Sequence, residues 1–466
     1  MRSGWLTVLA AALWAQPGGI EGTWQGTLNA GAISLRLGLH VSRDDKGGLV
    51  SKLDSLDQGA MGLPVQQTTF ANNKLNLEMP ALGAKFEGTL SANGGEIVGT
   101  FTQGAPLPLT LKRVDKIAAL NRPQNPRPPF PYDAVEVSYV TKPGIQLAGT
   151  LTVSKGPGPF PAAIMITGSG PQDRDSTMFE HKPFWVIADY LTRRGIAVLR
   201  VDDRGTGKST GNSSRETLDD MVADVLAGVD YLKGRKEIDA QRIGLIGHSE
   251  GGIVGPAAAA RSSAVAFVVM LAGTGVDGEH VMYRQADMIM RAAGAPDDAV
   301  AKNRTIQEMI FNVLRSEKDD QAALEKLRAA WAKLRPEATG PERHEMEAAD
   351  AAMDAEFKKV LTPEMRSFIF HDPAESLGKL KAPVLAMNGS RDLQVSPSQN
   401  LPAIAAALAA GGNTDFTVVE LPGLNHLFQK CNQCTPTEYG TLEETFSPGA
   451  LEIMGDWLVR HTHAQH

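Results

Sequence analysis

The sequence predicts an α/β domain that carries the chemistry, preceded by a small all-β domain and interrupted by a helical insertion. Three observations point that way. From Ile20 to about Val114, short runs of alternating apolar residues are separated by turn clusters. Beyond a Pro-rich stretch, continuous apolar runs alternate with helical patterns, as in a parallel sheet buried on both faces. One gap between two such runs, roughly a hundred residues of Ala, Glu, Lys, Arg and Met at helical spacing, is too long for a loop.

Arg2, the apolar stretch Trp5 to Trp14 and then Ala15-Gln16-Pro17 have the order of a secretory signal. Cleavage is expected after Ala15, so residues 1–15 are set apart and the protein is expected to be exported, to the periplasm or beyond. The alternative is a frayed or buried N-terminal helix. The run is far short of the roughly 20 residues that span a bilayer, and no later run is long and apolar enough, so no stable membrane insertion is expected.

Residues 16–115 read as a small antiparallel barrel or sandwich. Ile33, Leu35, Leu37, Leu39 and Val41 alternate along one strand, and Asp44 to Gly48, Asn72-Asn73 and Ala92 to Gly95 mark turns. This region holds no paired carboxylates or clustered histidines, so packing is its expected job. Residues 116–133 contain Pro123, Pro126, Pro128, Pro129 and Pro131 and read as a stiff, extended linker, because each proline lacks an amide donor and fixes its own φ. The α/β domain follows as residues 134–275 and 376–466, with strands expected at Ala162–Thr167, Ile196–Val201, Arg242–Ile246, Ala266–Leu271, Pro383–Met387 and Phe416–Leu421. Between its halves, residues 276–375 form the inserted helical cap. Its methionines suit core filling first and an adaptable pocket second.

Composition narrows the function classes. With 46 Lys+Arg against 53 Asp+Glu the formal charge is -7 and no basic run appears, so no nucleic-acid partner is expected. Two cysteines exclude a disulfide-framework fold and a four-thiolate zinc site.

The chemistry is expected around Gly247-His248-Ser249-Glu250-Gly251, a Gly-x-Ser-x-Gly pattern between a predicted strand and a helix at Ile253–Arg261. A sharp strand-to-helix turn of this kind strains and exposes the serine, and Gly247 and Gly251 let the neighbouring backbones pass. A serine hydroxyl needs a base, and the base needs a carboxylate to orient it. In this architecture the partners follow in the order Ser, Asp or Glu, His, each after a strand. Asp392 follows the strand Pro383–Met387, and His426 follows the strand Phe416–Leu421. Of the ten histidines only His426 meets both conditions. The oxyanion donors are expected to be the amides of Glu250, next to the serine, and of Gly170 in the loop after Ala162–Thr167, with Ser169 in reserve because Pro171 has no N–H. Asp173, Arg174 and Asp175 read as a charge network fixing that loop, and Asp203 to Ser209 as a structural turn.

Together the motifs Gly-Ser-Gly-Pro-Gln-Asp-Arg-Asp, Asp-Arg-Gly-x-Gly-x-Ser, Gly-His-Ser-Glu-Gly-Gly, Gly-Ser-Arg-Asp and Asn-His resemble the α/β-hydrolase superfamily. They look most like secreted bacterial serine esterases related to dienelactone hydrolases and serine aminopeptidases. The resemblance runs from Ala134 to the C-terminus, the insertion apart. It implies an α/β-hydrolase sheet with a helical cap, Ser249, Asp392 and His426 as the triad, and carboxylester hydrolysis as the commonest activity. Members with a small N-terminal β domain exist.

Other patterns lead elsewhere. Gly205 to Thr210 imitates a phosphate loop but has Asp202 where its first glycine belongs. Gly273-Thr274-Gly275-Val276-Asp277-Gly278 imitates a dinucleotide fingerprint yet leads into the insertion rather than a returning strand. His344-Glu345 begins a zinc-protease motif whose second ligand is replaced by Ala348. No metal or cofactor is expected. Cys431 and Cys434, just after His426, are read as a local disulfide stiffening the histidine loop, with free thiols, a redox pair and a metal clip as alternatives. The expected activity is that of a serine carboxylesterase acting on a small-molecule ester through an acyl-enzyme. The alternatives are an aminopeptidase or amidase using the same residues, or an inert binding protein. Oligomeric state is not legible.

Overall fold

The computed structural model describes residues 19–464 apart from 31–32, 59, 118–119, 214–215 and 335–341. The expected signal segment, residues 1–15, therefore lies outside the described residues, as does the start of the 16–115 region. The chain divides into two compact units at Asn121/Arg122.

The first unit is a single antiparallel sheet of nine strands: β1 (Gly22–Ala30), β2 (Ile33–Arg43), β3 (Leu49–Ser55), β4 (Ala60–Val65), β5 (Gln67–Ala71), β6 (Lys74–Met79), β7 (Ala84–Leu90), β8 (Glu96–Gln103) and β9 (Ala105–Val114), in spatial order 4-3-2-1-9-8-7-6-5. Alternate residues of β6 and β7 are buried and exposed, which sends Leu75, Leu77 and Phe86 to one face. Leu53 of β3 and Leu77 of β6 belong to one core with Trp24, so the sheet curls around a single interior.

The second unit is the α/β domain. Its eight strands are β10 (Tyr132–Lys142), β11 (Ile145–Ser154), β12 (Phe160–Ile166), β13 (Ala197–Val201), β14 (Ile238–His248), β15 (Val268–Leu271), β16 (Val384–Gly389) and β17 (Phe416–Leu421), in order 10-11-13-12-14-15-16-17. The first two pairings, β10 with β11 and β11 with β13, are antiparallel, and every later one is parallel. Successive strand residues face opposite sides: Ile164, Leu245 and Val268 enter one core, and Met165, Ile246 and Val269 the other. Both faces are dry, which explains the continuous apolar runs. Helices α1 (Pro183–Thr192) and α11 (Pro448–Thr462) cover one face, while α2 (Leu218–Lys233), α3 (Gly251–Ala259) and α10 (Pro397–Ala410) cover the other. Thr217 and Asp220 form a capping box that starts α2.

Between β15 and β16 come α4 (Gly278–Ala292), α5 (Asp297–Ser316), α6 (Asp320–Leu334), α7 (Glu342–Val360), α8 (Pro363–Phe370) and α9 (Pro373–Leu377). Phe311, Leu327, Phe357 and Ile369 give this insertion a core of its own. Leu377 of α9 instead joins the sheet's core, so the cap's packing ends with α8.

The stretch read as a stiff, extended linker is anchored by its side chains. Arg122 donates to the carbonyls of Phe179, Gly440 and Leu442, Gln124 exchanges hydrogen bonds with Phe446, and Tyr132 opens β10. Prolines deny the chain a ladder but leave the side chains between them free to anchor it.

Candidate active site

β14 ends at His248 and α3 begins at Gly251, leaving Ser249 in the turn with φ of 55°. That left-handed conformation is strained for serine, and the surrounding sterics impose it. A Cβ on Gly247 would lie 1.9 Å from the Gly251 carbonyl oxygen, and one on Gly251 would lie 2.4 Å from that of Ile166. The Ser249 amide donates to Leu271 O at 2.8 Å, tying the turn to β15.

Asp392 lies in the loop after β16 and is fully buried. Its Oδ1 accepts from the amides of Gln394 at 2.7 Å and Val395 at 2.9 Å, and its Oδ2 lies 2.7 Å from His426 Nδ1. His426 follows β17 and is 4% exposed. With Nδ1–H committed to the carboxylate, Nε2 is the ring nitrogen available to take a proton. Ser249 and His426 line the same cavity. No hydrogen bond joins them in this structure; such pairs are often loose until substrate tightens them.

The loop that sequence reasoning could not resolve is Gly168–Pro171. A Cβ on Gly168 would lie 3.2 Å from Ser249 Cβ, and Gly168 and Ser169 line the serine's cavity. Gly170 does not line it. With φ of 79° it turns away, and its amide faces Glu364 Oε1 of α8 at 3.4 Å. The N–H expected from Gly170 thus faces the cap, and Ser169, named in reserve, is the residue of this pair that lines the serine's cavity. Glu250 caps α3, with its amide at the helix start beside Ser249. Its carboxyl is raised to about 7 by burial and by the Glu364 carboxyl, against a hydrogen bond from Ser169.

Asp203, which the sequence marked only as part of a turn, braces this loop at both ends. It accepts from the Thr167 hydroxyl at 2.9 Å and from the Gln172 amide at 2.8 Å. Arg174 forks onto Asp202 at 3.0 and 2.8 Å, and Asp175 pairs with Arg200. Gly207 stands where a Cβ would meet Asp202 Oδ2 at 2.3 Å, so its glycine accommodates a carboxylate rather than a phosphate. Gly275 and Gly278 likewise fit against the carbonyls of Asn400 and Phe368.

The cavity at Ser249 has a volume of about 310 Å³. Met178 and Leu427 supply apolar wall from the α/β domain, and Val281, Met282, Met365 and Phe368 supply it from the cap. Gln172, Gln285 and Gln394 add neutral polar groups, and Glu250 is the one carboxyl among the residues lining it. Beyond Gly168 and Glu250 lies a tighter cavity of about 80 Å³, bordered by Asp202, Asp203, Glu216, Asp224, Glu364 and Arg204. Burial lifts Asp203 to about 7, and lifts Glu216 to about 8 in spite of the nearby Arg204.

Cys431 and Cys434 are joined by a disulfide. The amides of Asn432, Gln433 and Cys434 donate to the Glu438 carboxylate, closing the loop that follows His426. These two cysteines and Glu438 are, among the described residues, the one cluster of three metal-ligating side chains, and the disulfide consumes its thiols.

The sequence matches the family model of the S33 serine aminopeptidases over residues 182–430, more than half of the chain. The chain belongs to this family of α/β-hydrolases. Family members are serine hydrolases, and the elbow at Ser249 lies within the matched span. Esterase EstD of Thermotoga maritima is 30% identical over 294 residues, 63% of this chain and 61% of EstD, so the chain spans about three fifths of that relative's length. An uncharacterized 31.7 kDa protein of Escherichia coli is 25% identical over 280 residues, 59% of this chain and 84% of that protein. Among solved structures, an esterase of Pyrococcus furiosus is similar at 15% identity and a TM-score of 0.44, covering 74% of this chain and 99% of that one. The proline iminopeptidase of Mycobacterium smegmatis is similar at 16% identity and a TM-score of 0.43, covering 71% of this chain and 99% of its own. Neither structural likeness bears on activity.

Proposed function

We propose that the protein is a serine carboxylesterase. The observation that carries this reading is the convergence of Ser249 and His426, the imidazole held from behind by Asp392, on a cavity walled largely by apolar side chains and neutral amides. Ser249 Oγ attacks the ester carbon while His426 Nε2 takes its proton, and Asp392 holds the ring in the tautomer that permits this. The amides of Glu250 and Ser169 stabilise the oxyanion. Collapse expels the alcohol, protonated by His426, and leaves an acyl-serine. Water, deprotonated by the same imidazole, then releases the acid.

The likeness to an esterase supports an ester over an amide. So does the wall itself, whose single carboxyl, Glu250, is buried against Ser169 instead of standing free for a substrate amine. Ser249→Ala should abolish turnover of a short p-nitrophenyl ester, and the wild type should favour that ester over the matched aminoacyl amide. Equal or greater turnover of the amide would return the reading to an aminopeptidase. We also infer export: the order of residues 1–15 and the Cys431–Cys434 disulfide both fit an oxidising compartment. N-terminal sequencing of secreted or periplasmic protein should begin at Gln16, and an intact Met1 would overturn this.

A further inference from the structure

His248 ends β14 immediately before Ser249, and it has no role in the steps above. Its Nε2 lies 3.0 Å from the backbone carbonyl oxygen of His426, across 178 residues of sequence. The two imidazoles stand 4.8 Å apart, tilted by 50°. A carbonyl only accepts, so Nε2 of His248 must carry a proton, and this contact fixes its tautomer.

From this geometry we propose that His248 is a positioning residue that sets the distance between base and nucleophile, by tying the His426 main chain to the residue next to Ser249. The inference rests on the serine-hydrolase reading above. Two independent loops must bring the serine and the imidazole into register. The Asp392 carboxylate fixes the orientation of the His426 ring but leaves its height above the elbow to the main chain. The bond from His248 supplies that second constraint, because it joins the two loops one residue from the nucleophile. A ring in this place must also be neutral, since a second cation would oppose the imidazolium that His426 becomes during turnover. Burial and the neighbouring His426 hold the His248 pKa down to about 3, so the ring is neutral at any working pH.

The test compares His248→Leu, which removes the donor, with His248→Gln, whose amide can place an N–H where Nε2 stands. Two readouts are needed: steady-state hydrolysis of a p-nitrophenyl ester, and the rate at which a fluorophosphonate labels Ser249. The Leu variant should lose about 10- to 100-fold in kcat, the scale of a reacting group displaced by about 1 Å, with KM within about threefold. Labelling should slow in parallel, and the Gln variant should recover to within about fivefold of wild type in both. A Leu variant within about twofold of wild type would overturn the proposal. So would a Gln variant as slow as Leu at an equal Tm, since that assigns the loss to packing. If the wild type labels but hydrolyses no ester, the esterase reading fails, and the labelling rates still decide the role of His248.

Discussion

The perturbation that probes the site most sharply is Asp392→Asn. Oδ1 of Asp392 faces two backbone amides, Gln394 at 2.7 Å and Val395 at 2.9 Å, which can only donate. An asparagine must therefore turn its carbonyl oxygen toward them and its NH2 toward His426 Nδ1, 2.7 Å from the position of Oδ2. Facing a donor, Nδ1 becomes the acceptor and the ring proton moves to Nε2, the nitrogen that must receive the serine's proton. The substitution changes no volume and leaves the amides of Gln394 and Val395 paired, so stability should change little. The rate should fall by about 10⁴-fold, as when the corresponding carboxylate is amidated in other serine hydrolases. That is about 5.4 kcal/mol of barrier, at 1.36 kcal/mol per factor of ten. Steady-state kcat on a p-nitrophenyl ester, with Tm measured on the same preparation, reads both effects. An Asn variant within tenfold of wild type would refute the tautomer argument.

Three further outcomes follow from the structure. Phe368→Ala enlarges the cavity from the cap side, so kcat/KM for an eight-carbon ester should rise relative to a two-carbon one; an unchanged ratio would mean that α8 does not bound the substrate. Arg204 is buried and pairs with Asp224 at 2.6 Å and with Glu216 and Asp220 at 3.2 Å. Arg204→Met removes the cation that Asp224 pairs with in the interior and should cost about 3–5 kcal/mol in urea unfolding, whereas a cost under about 1 kcal/mol would contradict the pairing. Asp203, Glu216 and Glu250 sit at about 7, 8 and 7, above their unfolded values, so the stability they contribute is complete below the unfolded carboxyl range near pH 4 and is lost as pH rises through 7 to 8. His181 and His248, held down to about 4 and 3, act oppositely and lower stability as pH falls below about 6.5. Three carboxyls outweigh two histidines between about pH 4 and 6.5, and above about 6.5 the carboxyls act alone, so the urea midpoint should fall as pH rises from about 5 to 8, most steeply near pH 7, and Glu250→Gln should flatten that fall; a midpoint rising between about pH 7 and 8 would contradict the carboxyl assignments.

The elements that the sequence made legible are those governed by local rules. Gly247 and Gly251 are glycines because neighbouring carbonyls pass within 2.4 Å of where a Cβ would stand, and a Gly-x-Ser-x-Gly spacing encodes that crowding directly. The buried parallel sheet announces itself as continuous apolar runs, and the span read for β17 matches the observed Phe416–Leu421. Strand ends were less legible: β14 begins at Ile238, before the apolar run at Arg242, because main-chain pairing to β12 extends past the apolar residues. The illegible parts depend on residues far apart in sequence. The Gly170 N–H faces Glu364, 194 residues away in the cap, a contact no local pattern encodes. The Asp203 brace and the His248 tie are likewise ordinary residues in ordinary turns until the fold supplies Thr167, Gln172 and the His426 carbonyl. The anchoring of the Pro-rich stretch is illegible in the same way, since Arg122 finds its acceptors more than three hundred residues downstream at Gly440 and Leu442.

The central claim is that Ser249 carries the acyl group. Mixing the protein with excess p-nitrophenyl ester in a stopped-flow spectrometer, quenching in acid and mapping the modified peptide by mass spectrometry tests it directly. The account predicts that the acyl mass appears on the peptide containing Ser249, and that Ser249→Ala shows neither the mass nor turnover. An acyl group on another residue, or turnover undiminished in Ser249→Ala, would contradict it.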